Sequence, residues 1–367
     1  MKSSYQKGTG MLRIIAVCEH TGGAIALIPV VQELQKYGHQ AVLIAGGESA
    51  ANALREAQAE FETHLSAKSV FKRHQIPNVL VMSLCSTTGL IEDCLGFVHG
   101  KCPTVGLQGP GGGGITDAWK SALYRPDYMC VQEETDAAEL LDAWKGFPRD
   151  HVWATGFSNL DRYIGYDAGK AAEEMRFMHR IGKEVPVVLF VGDTDEQTSE
   201  ELAEVAAVLN EIGKEVVFIA RPHPRMKEEI SQAFVGWQKS LDAFTSGRVI
   251  HIDGDIQPLI ALADVVIGRG STAMMEAAYL RKQVISIFYP NVGALQYFRA
   301  TGRKEFLWVV KGCVAKAANH KELRALVEKS FAGALGLARA QEKHLPHDGP
   351  AGRRIAQHVI SLSRGLA

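Results

Sequence analysis

Short apolar runs alternate with longer amphipathic segments along most of the chain, and this alternation constrains the fold more than any other feature. In the first half the β-prone runs are residues 12–18, 41–45, 79–84, 104–107 and 128–131. Between the first two runs, residues 25–36 carry apolar side chains at helical spacing, and Gly38 ends that pattern. Strands that alternate with helices predict parallel sheets with helices on both faces.

The same pattern begins again in the second half, without a detectable sequence repeat. Its β-prone runs are residues 186–191, 216–220, 249–252, 265–267 and 284–288. A helix is predicted over 195–212, closed by Gly213. Because each half contains a complete strand and helix series, the sequence predicts two α/β domains.

The predicted domains are residues 11–160 and 161–350, and the 367-residue length fits two domains of ordinary size. The joint is placed at 155–169, which contains three glycines. Residues 351–367 are expected to include a helix that packs back on the first domain. Parallel sheets place ligands at the carboxyl ends of their strands, so a cleft between the two domains is the expected ligand site.

The charge balance excludes some functions. The chain has 40 basic and 41 acidic residues, a net charge of −1 that argues against a nucleic-acid or anionic-membrane coat. No apolar run is long enough to span a membrane, and residues 1–10 lack the features of a secretory signal. We expect a soluble cytoplasmic protein; whether residues 1–10, which precede Met11, are native is left open.

The cysteines predict reduced, buried thiols. None of the six forms a CxxC pair, and zinc sites favour such closely spaced pairs. We therefore expect no disulfide and no metal site. The cysteines are Cys18, Cys85, Cys94, Cys102, Cys130 and Cys313.

The first strand leads through a short turn into the first helix, and this turn carries candidate catalytic residues. Gly22 and Gly23 allow a sharp backbone turn and let a ligand approach the helix N-terminus, where exposed amides favour anions. Glu19 and His20 are expected to face the ligand, with His20 as a candidate general base. The alternative is that Glu19 and His20 only cap or hydrogen-bond the turn.

Two further glycine turns are more ambiguous. Residues 109–114 match GxGxxG, but they do not form the first turn of the chain and lack the acidic residue of a dinucleotide site, so a flexible loop over the ligand is favoured. Gly192 begins a turn where a phosphate could approach. Asp193 and Asp195 in that turn have the spacing of a divalent-metal pair, but an ordinary entry into a helix with Thr194 or Asp195 as N-cap is favoured.

A compact basic group follows the strand 216–220. Arg221 and His223, together with Arg225, are held in position by two prolines. Arginine suits bidentate contacts with phosphate oxygens, so Arg221 and His223 are predicted to bind a phosphate group. A solvated basic loop is the alternative.

Residues 264–290 are the most informative part of the chain: a short strand, a glycine turn and a helix. Gly270, Ser271 and Thr272 lie where the helix dipole and its unpaired amides favour a diphosphate. Glu276 follows about one helical turn later, where a carboxylate can accept both ribose hydroxyls. The alternative is that Glu276 is a surface partner of Arg281. Arg269 is expected to add charge at the diphosphate or contact the sugar.

Four segments resemble the two-Rossmann-domain glycosyltransferase superfamily, the GT-B fold, which includes the non-hydrolysing UDP-N-acetylglucosamine 2-epimerases and the CDP-glycerol glycerophosphotransferases. Residues 22–39 resemble its opening loop, helix and GH turn, and residues 155–161 resemble its TG-x-P-x-x-D segment. Residues 221–224 are similar to its basic HP loop, and 270–276 to its donor-binding turn. The epimerases' GTRPE-like opening is absent, and their SGG turn is replaced by residues 269–272, which favours transfer over epimerisation.

The resemblance implies two doubly wound parallel-sheet domains that face each other across a cleft. It implies that Ser271 and Thr272 contact the diphosphate of a nucleotide-sugar, Glu276 its ribose, and Arg221 or His223 the leaving phosphates. His20 falls where several members keep a base, and most members need no divalent metal, so no cofactor is expected.

The predicted function is therefore transfer of a sugar from a nucleotide-diphosphate sugar, with UDP as the expected nucleotide, to a hydroxyl acceptor. A lipid-linked acceptor at the inner face of a membrane and a homodimer are both compatible with the sequence. The alternatives are a UDP-sugar 2-epimerase and a catalytically silent nucleotide-sugar-binding protein. Sugar, base, acceptor and stereochemical outcome are left open.

Overall fold

The protein was analysed as a computed structural model that describes residues 10–84, 89–109, 115–193, 195, 197–223, 232–252, 254–290, 295 and 303–362. The chain divides into two compact units, one formed by Met1–Ile164 with Asp348–Ala367, the other by Gly165–His347. Residues 161–164, which the sequence assigned to the second domain, therefore belong to the first unit. Within the described residues, no helix is long and apolar enough to cross a membrane.

The described part of the first unit contains a seven-stranded parallel sheet in the order β3-β2-β1-β4-β5-β6-β7. Its strands are β1 Arg13–Cys18, β2 Gln40–Ala45, β3 Glu62–Thr63, β4 Val79–Leu84, β5 Thr104–Gln108, β6 Tyr128–Val131 and β7 Val152–Ala154. Its helices are α1 Thr21–Lys36, α2 Glu48–Glu56, α3 Ala67–His74, α4 Gly89–Val98, α5 Asp117–Ser121 and α6 Glu134–Ala143, with 3-10 turns at Arg149–His151 and Ser158–Tyr163.

The central strand β1 is buried on both faces, which explains its unbroken apolar sequence. Ile14, Ala16 and Cys18 enter one core, which includes side chains of α1 and α2. Ile15 and Val17 enter the other, which includes side chains of α3, α4 and α6. Successive side chains of a strand point to opposite faces, so one strand supplies both cores.

The second unit repeats this plan with a six-stranded parallel sheet in the order β10-β9-β8-β11-β12-β13, as far as the structure describes it. The strands are β8 Val187–Val191, β9 Val216–Arg221, β10 Gly247–Val249, β11 Val265–Gly268, β12 Gln283–Ile287 and β13 Ala315–Ala317. The helices are α7 Ala168–Met178, α8 Gln197–Ile212, α9 Gln232–Asp242, α10 Ile256–Leu262, α11 Thr272–Tyr279, α12 Leu307–Val310, α13 His320–Phe331 and α14 Ala338–His344. A last helix, α15 Ala351–Leu362, belongs to the first unit.

The N-terminus of α15 is fixed by an aspartate from a distant part of the chain. Asp161, in the 3-10 turn Ser158–Tyr163, accepts hydrogen bonds from the amides of Ala351 and Gly352 at 2.8 and 2.7 Å. A Cβ at Gly352 would lie 3.0 Å from the carbonyl carbon of Pro29, so the helix approaches α1 too closely for a larger residue. Residues 158–163, which the sequence placed in a linker, therefore form a packed support for α15.

Nine of the ten predicted strands are found at or close to their predicted positions, and the tenth is shifted. Three short strands were not predicted. β3, β7 and β13 have two or three residues each, which is too few for an apolar pattern to be visible. The run 249–252 was predicted as a strand, but β10 covers Gly247–Val249, because pairing with Val216–Phe218 of β9 sets its register.

The described cysteines are free thiols, in agreement with the expectation. Burial raises the pKa of Cys18, Cys94 and Cys130 to about 12. Such thiols stay protonated and unreactive at neutral pH. Cys85 lies outside the described residues.

Replacing Asp161 with asparagine is expected to loosen α15 selectively. Asparagine offers one oxygen where the carboxylate offers two, so one charge-assisted hydrogen bond to the helix N-terminus is lost. Such a bond contributes about 1.5–3 kcal/mol. Amide hydrogen exchange over residues 351–362 should therefore accelerate, and the unfolding midpoint should fall.

Asp142→Asn is the matched control, because Asp142 is an exposed aspartate that pairs with Lys145 on the surface of the same unit. It should change the free energy of unfolding by less than about 0.5 kcal/mol. Unchanged exchange of residues 351–362 in Asp161→Asn would show that α15 is held by its apolar face alone.

Candidate functional site

Each sheet has one position where its strand order reverses, and the candidate site residues of each unit lie there. In the second unit β8 and β11 are neighbours, but the chain continues from β8 toward β9 and from β11 toward β12. Connections that leave in opposite directions open a crevice at the carboxyl ends of the two strands, where α/β sheets bind ligands. Val191, Gly268 and Arg221 are aligned at this level of the sheet.

The turn from β11 into α11 forms one wall of the crevice. A Cβ at Gly268 would lie 2.6 Å from the carbonyl oxygen of Val191, so only glycine allows the strands to stay paired here. Ser271 is the N-cap of α11, and its Oγ accepts a hydrogen bond from the amide of Ala273 at 3.4 Å. Gly270, Ser271 and Thr272 are half-buried, so the positive end of the helix dipole lies near the surface.

Glu276 lies in α11, one turn beyond Thr272, and is only 3% exposed. The surface position considered for it in the sequence is therefore wrong. Its contact with a ribose stays a prediction.

Gly192, at the end of β8, is a glycine because of packing. A Cβ there would lie 2.8 Å from the ring of Trp237 and 3.0 Å from Oγ1 of Thr198. Thr198 also accepts a hydrogen bond from the amide of Asp193 at 2.9 Å. Packing against Trp237 and Thr198 thus requires glycine at this position, and the phosphate role of Gly192 stays a prediction.

Arg269 has partners within the protein, in place of the expected ligand. It is 2% exposed, its Nε donates to Glu201 Oε1 at 2.7 Å, and its Nη2 donates to Asp195 Oδ1 at 2.8 Å. Nη1 donates to the second Asp195 oxygen, which completes a bidentate pair. Asp195, considered as a metal ligand or helix cap, is thus an ion-pair partner. The guanidinium joins the segments that follow β8 and β11.

Burial and hydrogen bonding have opposite effects on the pKa values of Arg269 and Glu201. Burial raises the pKa of Glu201 to about 7, although hydrogen bonding to Arg269 lowers it. Burial alone would lower the pKa of Arg269, but hydrogen bonds to Asp195 and Glu201 raise it above its ordinary value. Arg269 therefore stays charged, and its charge stabilises the carboxylates it binds.

Arg221 is the last residue of β9, and His223 follows two residues later at the same edge of the sheet. Arg221 donates to the carbonyl oxygens of Ile252 at 3.1 Å and Gly254 at 2.6 Å, so it holds the segment that leads into α10. Both side chains are half-buried. Phosphate binding by Arg221 and His223 stays a prediction, and Arg225 lies outside the described residues.

In the first unit the strand order reverses between β1 and β4, and the turn after β1 lies at this position. A Cβ at Gly22 would meet no atom within 4 Å, whereas one at Gly23 would lie 3.0 Å from Ser83 Oγ in β4. Gly23 is therefore required for packing, and Gly22 leaves the N-terminus of α1 open. His20 is the half-buried N-cap residue of α1, and its role as a base stays a prediction.

Glu19 is bound to the protein rather than turned toward a ligand. Its Oε1 accepts from the amide of Leu90 at 2.8 Å and its Oε2 from that of Ile91 at 3.3 Å, at the N-terminus of α4. Gly89, with φ +45°, leaves room for this carboxylate, because a Cβ there would lie 2.3 Å from Oε1. Burial raises the pKa of Glu19, and the two amides partly offset that effect. Glu19 thus caps α4 rather than its own turn, and its catalytic role stays a prediction.

Asn159 supports the turn before α1. In the sequence it was noted only as part of the segment 155–161, which resembles TG-x-P-x-x-D. Its Nδ2 donates to the carbonyl oxygen of Gly22 at 2.9 Å, and its Oδ1 is buried without a hydrogen-bond partner among the described residues. It therefore holds the turn that opens α1. The glycine-rich loop predicted at 109–114 falls largely on residues 110–114, outside the described part of the chain.

No protein-family model and no curated protein sequence matches this chain. Solved structures do match along nearly its whole length. UDP-GlcNAc 2-epimerase from Neisseria meningitidis bound to UDP-GlcNAc is 15% identical, with a TM-score of 0.66 over 97% of this chain and 100% of that one. The S. aureus protein MnaA in a structure with UDP is 13% identical, with a TM-score of 0.71 over 97% and 98%.

A glycosyltransferase from Rickettsia africae ESF-5 is 12% identical, with a TM-score of 0.62 over 96% of this chain and 99% of that one. At such identities the likeness establishes the fold. This protein has two Rossmann-like parallel-sheet domains of the GT-B type, as the sequence predicted.

Removing the Arg269 charge is expected to destabilise the second unit. Arg269→Gln leaves the buried Glu201 carboxylate and the half-buried Asp195 carboxylate without their cation, which costs about 3–5 kcal/mol. Adding Glu201→Gln should restore part of this loss, because one of the buried charges is removed as well. Urea unfolding of both variants without nucleotide measures the effect.

Arg324→Gln is the control, since Arg324 forms exposed ion pairs with Glu211 and Glu328 in the same unit. It should cost less than about 1 kcal/mol. If the Arg269→Gln protein is fully stable but has lost its affinity for nucleotide, Arg269 contacts the ligand instead.

Proposed function

We propose that this protein binds a nucleoside-diphosphate sugar, with the diphosphate at the N-terminus of α11. The observation that carries the proposal is the half-buried turn Gly270, Ser271 and Thr272, located where the second sheet reverses its strand order. The first amides of a helix have no acceptor within the helix, and together with the helix dipole they attract a polyanion. Arg221, on the same edge of the sheet, adds positive charge.

UDP is the nucleotide that the structural neighbours favour. The N. meningitidis protein was solved with UDP-GlcNAc and the S. aureus protein with UDP, and each aligns with 97% of this chain. In the proposed complex Glu276 accepts the ribose hydroxyls. Because Glu276 is buried, the ribose must reach it past the first turn of α11.

The reaction that we propose first is sugar transfer to a hydroxyl acceptor. His20 removes the hydroxyl proton, the oxygen forms a bond to the anomeric carbon, and the bond from that carbon to the diphosphate breaks. The departing UDP is stabilised by the amides of α11 together with Arg221 and His223. Glu19 has no role in this scheme, because its carboxylate caps α4.

Epimerisation at carbon 2 of the sugar is the second candidate. The structures that match nearly the whole chain include UDP-GlcNAc 2-epimerases from Neisseria meningitidis and Methanocaldococcus jannaschii. Transfer is proposed first because residues 269–272 depart from the turn of the epimerases.

An acidic residue at the first position of α11 should separate ligand binding from folding. Thr272→Glu places a negative charge at a helix N-terminus, which favours the helix by about 0.3–1 kcal/mol. The same charge repels a diphosphate, so UDP affinity should fall about 10- to 100-fold. Calorimetric titration with UDP and thermal unfolding without ligand give the two quantities.

Ala168→Glu is the control, because Ala168 has the equivalent first position in α7 of the same unit. It should leave UDP affinity unchanged. If Thr272→Glu also binds UDP with unchanged affinity, the diphosphate is not bound at α11.

Incubation with UDP-GlcNAc alone should distinguish transfer from epimerisation. A transferase leaves the sugar unchanged until a hydroxyl acceptor is added and then releases UDP, whereas an epimerase produces the carbon-2 epimer without an acceptor. For transfer, His20→Ala should lower kcat about 10²- to 10⁴-fold, the usual contribution of a general base. Proton NMR of the anomeric signals and a UDP-release assay follow both products.

His99→Ala is the control for this measurement, since His99 is an exposed histidine in the same unit. Unchanged turnover in His20→Ala would remove His20 from the mechanism. UDP binding without either product, across a panel of acceptors, would leave a binding protein as the function.

A further inference from the structure

Three metal-ligating side chains meet at the edge of the first sheet, away from the positions where the strand order reverses. Glu62 lies in β3, the edge strand, and His64, the residue directly after that strand, lies two positions beyond Glu62 on the same face. His74 is the last residue of α3. One ligand atom from each of the three lies within 4.8 Å of the other two.

The distances within this cluster fit a tetrahedral metal ion. Nε2 of His64 lies 3.2 Å from Oε2 of Glu62, and Nε2 of His74 lies 3.1 Å from the same oxygen. Zinc binds nitrogen and carboxylate oxygen at about 2.0–2.1 Å, so two ligands of a tetrahedral site are about 3.3 Å apart. The protein thus places both imidazoles at nearly the spacing that a shared zinc ion needs.

The hydrogen bonds of Ser69 indicate where the proton of His64 lies. The Ser69 hydroxyl donates to the carbonyl oxygen of Ser66 at 2.7 Å, so its single proton is already used. Nδ1 of His64, 3.1 Å from Ser69 Oγ, must therefore be the donor in that contact. Nε2 of His64, the other ring nitrogen, faces the Glu62 carboxylate at 3.2 Å, where a metal ion could bind both atoms.

The surroundings also resemble those of a metal site. The histidine side chains are mostly buried, at 13% exposed for His64 and 14% for His74, whereas Glu62 is 34% exposed. Ser69 orients His64 through the ring nitrogen that would not bind the metal, as in known zinc sites. His74 lies at the C-terminus of α3, where the helix dipole favours a cation.

We propose that Glu62, His64 and His74 bind one Zn²⁺ ion through Oε2 and the two Nε2 atoms. Two imidazoles and one carboxylate are a donor set that zinc favours, and solvent completes the tetrahedron. The ion joins the two-residue edge strand β3 to α3 and so stabilises an element that backbone pairing alone holds weakly. This inference is independent of the proposed function, because the cluster contains no residue assigned to nucleotide or sugar.

Arg73 is the group that competes with the metal. Its Nε lies 3.2 Å from Oε2 of Glu62, but its side chain is 67% exposed and can turn into solvent.

The test is zinc titration of the full chain after removal of metals with EDTA. Competition with a chromogenic chelator should show one tightly bound equivalent, and zinc should raise the unfolding temperature. His64→Gln and His74→Gln keep a side-chain donor for Glu62 but remove a metal ligand, so each should lower zinc affinity at least about 100-fold. Cobalt in place of zinc should give the intense visible bands of tetrahedral coordination, which both variants should lose.

Two control variants make the result specific to the cluster. His99→Gln removes an exposed histidine elsewhere in the unit and should leave affinity unchanged. Arg73→Gln removes the competing cation and should keep the bound equivalent at equal or higher affinity. The proposal is overturned if the wild-type chain binds no zinc, or if both glutamine variants retain the wild-type affinity.

Discussion

The buried pairing of Arg269 with Glu201 and Asp195 is the interaction on which the second unit's candidate site depends. Where β8 and β11 separate, their backbone hydrogen bonds end, and the walls of the crevice need another link. One guanidinium can supply it, because its planar fork binds two carboxylates at once. The turn that begins α11 follows directly after Arg269, so this pairing also fixes the helix N-terminus to which we assign the diphosphate.

The first unit has a corresponding link, made by a residue of opposite charge. Glu19 follows β1 directly, as Arg269 follows β11, and its carboxylate crosses the crevice to the amides of α4. In both units a charged side chain one residue beyond a strand thus links the two segments that diverge there. The linking side chains bind the protein, whereas the small residues after them, Gly22 in one unit and Gly270 in the other, leave the helix N-termini accessible.

Much of the architecture could be predicted from the sequence, because β1, β4 and β8 are long apolar runs bounded by turn residues. The short strands β3, β7 and β13 could not be predicted, since their positions are set by pairing with a neighbour. The internal partners of Glu19 and Arg269 could not be predicted for a related reason. These partners lie 71 and 68 residues away, and a charged residue in a glycine turn has the same sequence whether it binds a ligand or the protein. The sequence did not reveal the metal-ligating cluster of Glu62, His64 and His74. The reason is that α3, and not a short spacing in the sequence, brings His74 to the other two residues.

The capping of α15 by Asp161 has a consequence for the order in which the protein is made. Domains usually fold as units as the chain emerges from the ribosome, the N-terminal one first. Here the first unit lacks the helix that covers one of its cores until residues 351–362 have been synthesised, whereas the second unit is complete at His347. The half that is translated first is therefore finished last, and the apolar surface of α1 that α15 covers must stay exposed, or be protected by other factors, during almost the entire synthesis of the chain.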